Sequence, residues 1–157
     1  MKQSVRSLPR RLHRWALVAA VVIGAPALAY TQSLGEKQER KRNDELLQEV
    51  VKTMNDDCKT SIKATWDWQS FKGRLTRNSN HVGSNCGVGA EDIRRLCLDG
   101  DEGKQAVKAG IKTIVCKGDG GKDGKVHLDK KTRTLVYSTS IDAELQFHIT
   151  DYLKQNL

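Results

Sequence analysis

Four cysteines, Cys58, Cys86, Cys97 and Cys116, set the tightest limit on what this chain can fold into. They stand in a stretch too poor in apolar residues to be held by burial alone. An even cysteine count in a small polar domain points to two disulfides and an oxidising compartment. Helix geometry removes one of the three possible pairings. A helix over 90–97 would place Cys86 and Cys97 at opposite ends of about 12 Å of helix, whereas bridged Cα atoms lie within about 7 Å. The favoured pairing is Cys58 with Cys86 and Cys97 with Cys116. The alternative is Cys58 with Cys97 and Cys86 with Cys116. No Cys-x-x-Cys pair occurs, so neither a redox dithiol nor a zinc site is expected at these residues.

Residues 1–29 have the form of a signal peptide. Lys2, Arg6, Arg10, Arg11 and Arg14 precede an apolar run over 15–23, and no acid occurs among them. Gly24 and Pro26 break the run, and Ala27-Leu28-Ala29 supplies the small–x–small pattern for cleavage before Tyr30. A membrane-spanning helix needs about 20 apolar residues, so no membrane span is expected after cleavage. An uncleaved N-terminal anchor is the alternative. Without the leader, 128 residues carry 22 Lys plus Arg against 19 Asp plus Glu, and the net charge falls from +8 to +3. That balance excludes a strongly basic nucleic-acid binder, a multi-pass membrane protein and a large multidomain enzyme. The expected product is exported, either periplasmic or secreted.

Periodicity then orders the rest. Residues 30–45 are a polar N-terminal segment, disordered at first and then a helix half projecting into solvent. Residues 46–157 form a single disulfide-stabilised domain. A helix over 36–57 carries Leu47, Val50, Met54 and Cys58 on one stripe. Ile62, Ala64, Trp66 and Trp68 alternate as a strand does, and 69–73 suits one helical turn. The glycine- and asparagine-rich stretch 76–89 is expected to be a long loop. Short helices follow at 90–98 and 102–109, with Gly110 as a left-handed cap. A strand over 111–116, a glycine-rich turn over 117–124, a hairpin of 125–128 with 133–137, and a helix over 142–156 complete the order. The sum is an α+β fold: a small antiparallel sheet of three to four strands covered by helices, with two disulfides.

Chemistry-bearing motifs are few. Asp99-Gly-Asp101-Glu102-Gly103 departs from the calcium-loop pattern at three positions. Gly118 to Lys125 lacks the spacing of a phosphate-binding loop and leads into a strand. The acid pairs Asp56-Asp57 and Glu91-Asp92 fall at helix ends, where solvated capping accounts for them. No nucleophile elbow or His-Glu-x-x-His pair occurs, so neither a metal nor a cofactor is expected. His127 should face solvent, and His148 should lie on the last helix beside Ile149. His81 is a weak catalytic candidate, paired with an acid such as Asp67. Trp66 and Trp68 serve either as core anchors or as a binding platform. Nine cations against three acids between 103 and 133 make a basic patch, with Lys125, Lys130, Lys131 and Arg133 as possible binding residues.

The expectation is a non-catalytic binding or interaction domain for an envelope or extracellular partner. That partner would be an anionic envelope polymer or an acidic protein, and not nucleic acid. A small secreted hydrolase using His81, or an assembly component acting through its charged N-terminal helix, are the alternatives.

Overall fold

A computed structural model describes residues 33–71, 74–75, 81–118, 124–140 and 148–157. The leader and its cut before Tyr30 lie outside the described residues, as do 76–80, most of the 117–124 turn, and 141–147. The elements are α1 (Leu34–Cys58), β1 (Lys63–Asp67), a 3-10 turn (Trp68–Phe71), α2 (His81–Leu98), α3 (Asp101–Gly110), β2 (Thr113–Gly118), β3 (Lys125–Asp129), β4 (Thr134–Thr139) and α4 (Thr150–Asn156). This is an α+β fold with a small four-stranded sheet and two disulfides, and no described helix is long and apolar enough to cross a membrane.

α1 is one continuous helix. Ser33 caps it, its hydroxyl accepting from the Glu36 amide at 3.1 Å, which satisfies one of the open N-terminal donors. Leu47, Val51, Met54 and Cys58 are buried, which is the expected stripe with Val51 in place of Val50. The first half does not project into solvent as expected. Glu36, Glu39 and Asn43 are buried on one side of it, and the Arg40 guanidinium lies over the Trp68 ring, 5.3 Å from its centre.

The largest departure is α2, which starts nine residues before its expected onset and absorbs 81–89. Gly83, Gly87 and Gly89 disfavour a helix by about 1 kcal/mol each. Two of them leave no room for a side chain. A Cβ on Gly83 would meet Asn43 Oδ1 at 2.5 Å, and one on Gly89 would meet the Tyr137 ring at 2.9 Å. Close helix–helix and helix–sheet approach therefore outweighs local propensity. Gly83 faces Asn43, Gly87 faces Val50, Arg94 pairs with Asp57, and Cys97 bonds to Cys58. The two helices thus run side by side in the same direction.

That direction corrects the disulfide pairing. The bonds are Cys58 with Cys97 and Cys86 with Cys116, the second of the two connectivities weighed from sequence. Parallel helices bring their C-terminal cysteines together. Cys86, about three turns earlier on α2, is far from Cys58 and meets β2 instead.

The sheet order is β1-β2-β4-β3. β1 with β2 and β2 with β4 are parallel, and only β3 with β4 is antiparallel. The sheet is mixed, not antiparallel, because α2 and α3 form the crossover between β1 and β2 that a parallel pair requires. The hairpin of β3 and β4 stands as expected. Ile114 and Cys116 in β2, with Leu135 and Tyr137 in β4, are buried by alternation and join Met54, Ile93, Val107, Ile149 and Leu153 in the main core. Gly110 remains helical and not left-handed, since Ile111 closes α3 in extended geometry. α4 covers the end of the expected 142–156 helix, of which 142–147 lie outside the described residues, and His148 and Ile149 precede it without being helical.

Candidate functional site: a basic pocket at the sheet edge

The parallel register aligns Lys63, Thr113 and Thr134 across three strands. The residues just before them are drawn together by the backbone. The Lys63 amide donates to Lys112 O at 3.2 Å, and the Lys112 amide donates to Arg133 O at 2.8 Å. α1 and α3 both end at this edge of the sheet. Between them lies a pocket of about 360 Å³ lined by Lys59, Thr60, Ser61, Ile62, Lys108, Ile111, Lys112 and Arg133.

The lining holds four cations and no carboxylate. Lys59, Lys108 and Lys112 are exposed and Arg133 is half-buried; none of the four forms an ion pair among the described residues. A smaller adjoining pocket, of about 210 Å³, shares Lys59 and Lys108 and is also lined by Lys104 and Asp101. Two other pockets carry acids, Asp99 and Glu102 in one, and Asp56 in another that shares Ile62 with the basic pocket. The C-terminal carbonyls of α1 and α3 account for one neighbouring cation each. Four exceed that need.

The backbone here is also unusual. Lys59 (φ 54°) and Arg133 (φ 58°) are the two non-glycine residues with positive φ among the described residues, and both line this pocket. A left-handed conformation costs a residue with a Cβ about 1–2 kcal/mol. Arg133 Nη2 donates to Lys108 O at 2.8 Å, which fixes the guanidinium, and its Nε is buried without a hydrogen-bond partner. Lys131 and Thr132 donate backbone N–H groups to the Asp129 carboxylate at 2.9 and 3.3 Å. Hydrogen bonding from Thr132, side chain first, and from the Lys131 amide holds the Asp129 ionisation below its usual range.

The basic residues singled out from sequence divide. Arg133 lines the pocket, and Lys130 and Lys131 are exposed in the adjoining β3–β4 turn. Lys125 lies at the other end of β3, opposite Ser138. Lys59 carries no signal in the sequence, because only the parallel register carries the residue after Cys58 to the start of β2.

The other candidates lie elsewhere. Trp66 and Trp68 stack with centroids 4.8 Å apart at 18°, against the buried Phe71. With Arg40 over Trp68, those rings pack on one another and on a second small core of Phe71, Leu75 and Val82. His81 opens α2, and its side chain lies outside the described residues. Asp67 faces Lys117 at 3.7 Å and accepts weakly from the Ser70 amide at 3.4 Å. His127 is exposed, as expected.

The Glu91-Asp92 pair is not a solvated cap. Asp92 is fully buried, accepting from the Ile149 amide at 2.6 Å and facing His148 Nδ1 at 3.1 Å. It ties the start of the C-terminal segment to the middle of α2. His148 is 57% exposed beside it. Burial, and then the Asp92 charge, push the Tyr137 phenol up to about 12.

No protein-family model, curated protein or solved structure matches this chain.

Proposed function

We propose that the chain is an exported, non-catalytic binding domain that recognises an anionic partner, a polymer or an acidic protein, in the envelope or outside the cell. Its recognition surface is the basic end of the sheet. The observation that carries this is the pocket lined by Lys59, Lys108, Lys112 and Arg133 with no carboxylate. The two disulfides fit an oxidising, exported environment. Cleavage before Tyr30 by signal peptidase would release the domain from its leader.

The assembly alternative has less support, since the charged half of α1 turns Glu36, Glu39 and Asn43 inward. The test is titration of the oxidised protein with polyphosphate and with polyglutamate at low and high salt. Binding should weaken steeply as salt screens the exposed cations, since the Debye length falls from about 30 Å at 0.01 M to about 8 Å at 0.15 M. The double reversal Lys108→Glu with Lys112→Glu should abolish it, while Lys37→Glu with Lys41→Glu on α1 should not. Equal loss from both pairs, or binding indifferent to salt, would sink this assignment.

A further inference from the structure

Resting on that assignment, we infer that the pocket within the basic surface is a seat for one phosphomonoester group carried by the partner. The argument begins with charge. Lys59, Lys108, Lys112 and Arg133 surround a single pocket, and a compact group with two negative charges answers them better than a carboxylate with one. Phosphate also presents several oxygens to separate donors, as three ammonium groups and a guanidinium require. The Ser61 hydroxyl, exposed on the same lining, adds a neutral donor. Thr60 adds none, because its hydroxyl donates to Asn55 Oδ1 at 2.7 Å.

The second line of argument is backbone cost. A helix C-terminus of the α1 kind ordinarily takes glycine at the left-handed position, and a tight hairpin takes Gly or Asn there. This chain places Lys59 and Arg133 at those two positions. Their cations stand where folding alone favours a glycine. Such departures from local preference collect at functional sites. The volume of about 360 Å³ exceeds a bare phosphate, so part of the group bearing the ester enters with it.

The experiment is calorimetric titration of the oxidised protein with glycerol phosphate, and separately with methyl sulfate, between pH 5 and 7. Neither a histidine nor a carboxylate lines the pocket, and Asp101 lines only the adjoining one. A rise in affinity with pH therefore reports the second ionisation of the ester, near pH 6. Glycerol phosphate should bind about fivefold tighter at pH 7 than at pH 5, and methyl sulfate, a fixed monoanion, weakly at both. Lys59→Gly should weaken binding about tenfold while raising Tm by about 2–5 °C through relief of the left-handed backbone. Arg133→Met should weaken binding at least as much. Vesicles containing phosphatidic acid are the second arm. Binding to vesicles but not to glycerol phosphate would support a seat for a lipid-borne monoester, and binding to both would support a seat indifferent to the carrier.

If polyglutamate binds the basic end and no phosphomonoester displaces it, the phosphate seat is wrong and the broader binding assignment stands. If no polyanion binds at all, both fall. A Lys59→Gly protein that melts higher and binds unchanged would also overturn the seat.

Discussion

Replacing single α2 glycines by alanine should give opposite effects within one turn and a half of the same helix. On propensity alone each replacement stabilises by about 1 kcal/mol. At Gly87 the new methyl would meet Val50 Cγ2 at 3.7 Å, an ordinary contact, so most of that gain survives. Gly87→Ala should stabilise by about 0.5–1 kcal/mol. At Gly89 the methyl would lie 2.9 Å from Tyr137 Cδ2 and 3.2 Å from Cε2. That ring is fully buried, and overpacking of this kind costs about 1–3 kcal/mol. Gly89→Ala should therefore be neutral to about 2 kcal/mol destabilising. At Gly83 the obstacle is Asn43, whose Nδ2 donates to Glu39 O at 2.7 Å. Displacing it sacrifices that bond, worth about 1 kcal/mol, besides the steric cost.

The assay is urea unfolding of the oxidised variants, followed by far-ultraviolet circular dichroism. The Gly87 and Gly89 variants should separate by about 0.5–3 kcal/mol of stability at unchanged m-value. Equal gains at all three sites would mean an unpacked helix. Changes near zero at all three would mean a loop over 83–89, and either result would refute the close packing of α2 on α1 and β4.

Three further outcomes follow from the same packing. Proteolysis of the unreduced protein should yield cross-linked peptides joining Cys58 to Cys97 and Cys86 to Cys116, with no alkylatable thiol. At sequence separations of 39 and 30, removing either bond should cost up to about 4 kcal/mol on the chain-entropy model; recovery of a Cys58–Cys86 peptide would contradict the parallel helices. Asp92→Ala should destabilise by roughly 2–4 kcal/mol, since it orphans the buried Ile149 amide. Hydrogen exchange at Ile149 should accelerate, and an unchanged rate would show that Asp92 does not hold the C-terminal segment. The folded ionisation of Tyr137 lies above the unfolded value of 10.0. Its contribution is therefore complete below pH 10 and is lost as pH rises toward about 12, a fall on the order of 2 kcal/mol. Stability that stays level over that interval would place the phenol in contact with water.

The parts of this fold legible in the sequence are those set by local pattern. The stripe of Leu47, Met54 and Cys58 marks the buried side of α1, and alternation marks β4 and the hairpin. Gly83, Gly87 and Gly89 defeat such reasoning, because a glycine required for close approach looks the same as one placed for a loop. Strand direction was hidden for a related reason. Whether β1 and β2 run parallel depends on the helices that cross between them, and the glycines conceal where α2 begins. The disulfide pairing depends on the same concealed onset. Three of the four pocket cations, Lys108, Lys112 and Arg133, fall within the charge bias visible in the sequence. Lys59 does not, for its neighbours are close in register and remote in sequence. Asp92 reads as a surface cap, and only the return of Ile149 against α2 makes it a buried anchor.

The most direct test of the recognition surface is a map of backbone amide shifts in the oxidised protein titrated with polyphosphate at low salt. Perturbations should gather at Lys59, Ser61, Lys108, Lys112 and Arg133 and fade as salt is raised. Shifts gathered instead at Trp66 and Trp68, or at His148, would place recognition elsewhere in the fold and contradict the basic end as its site.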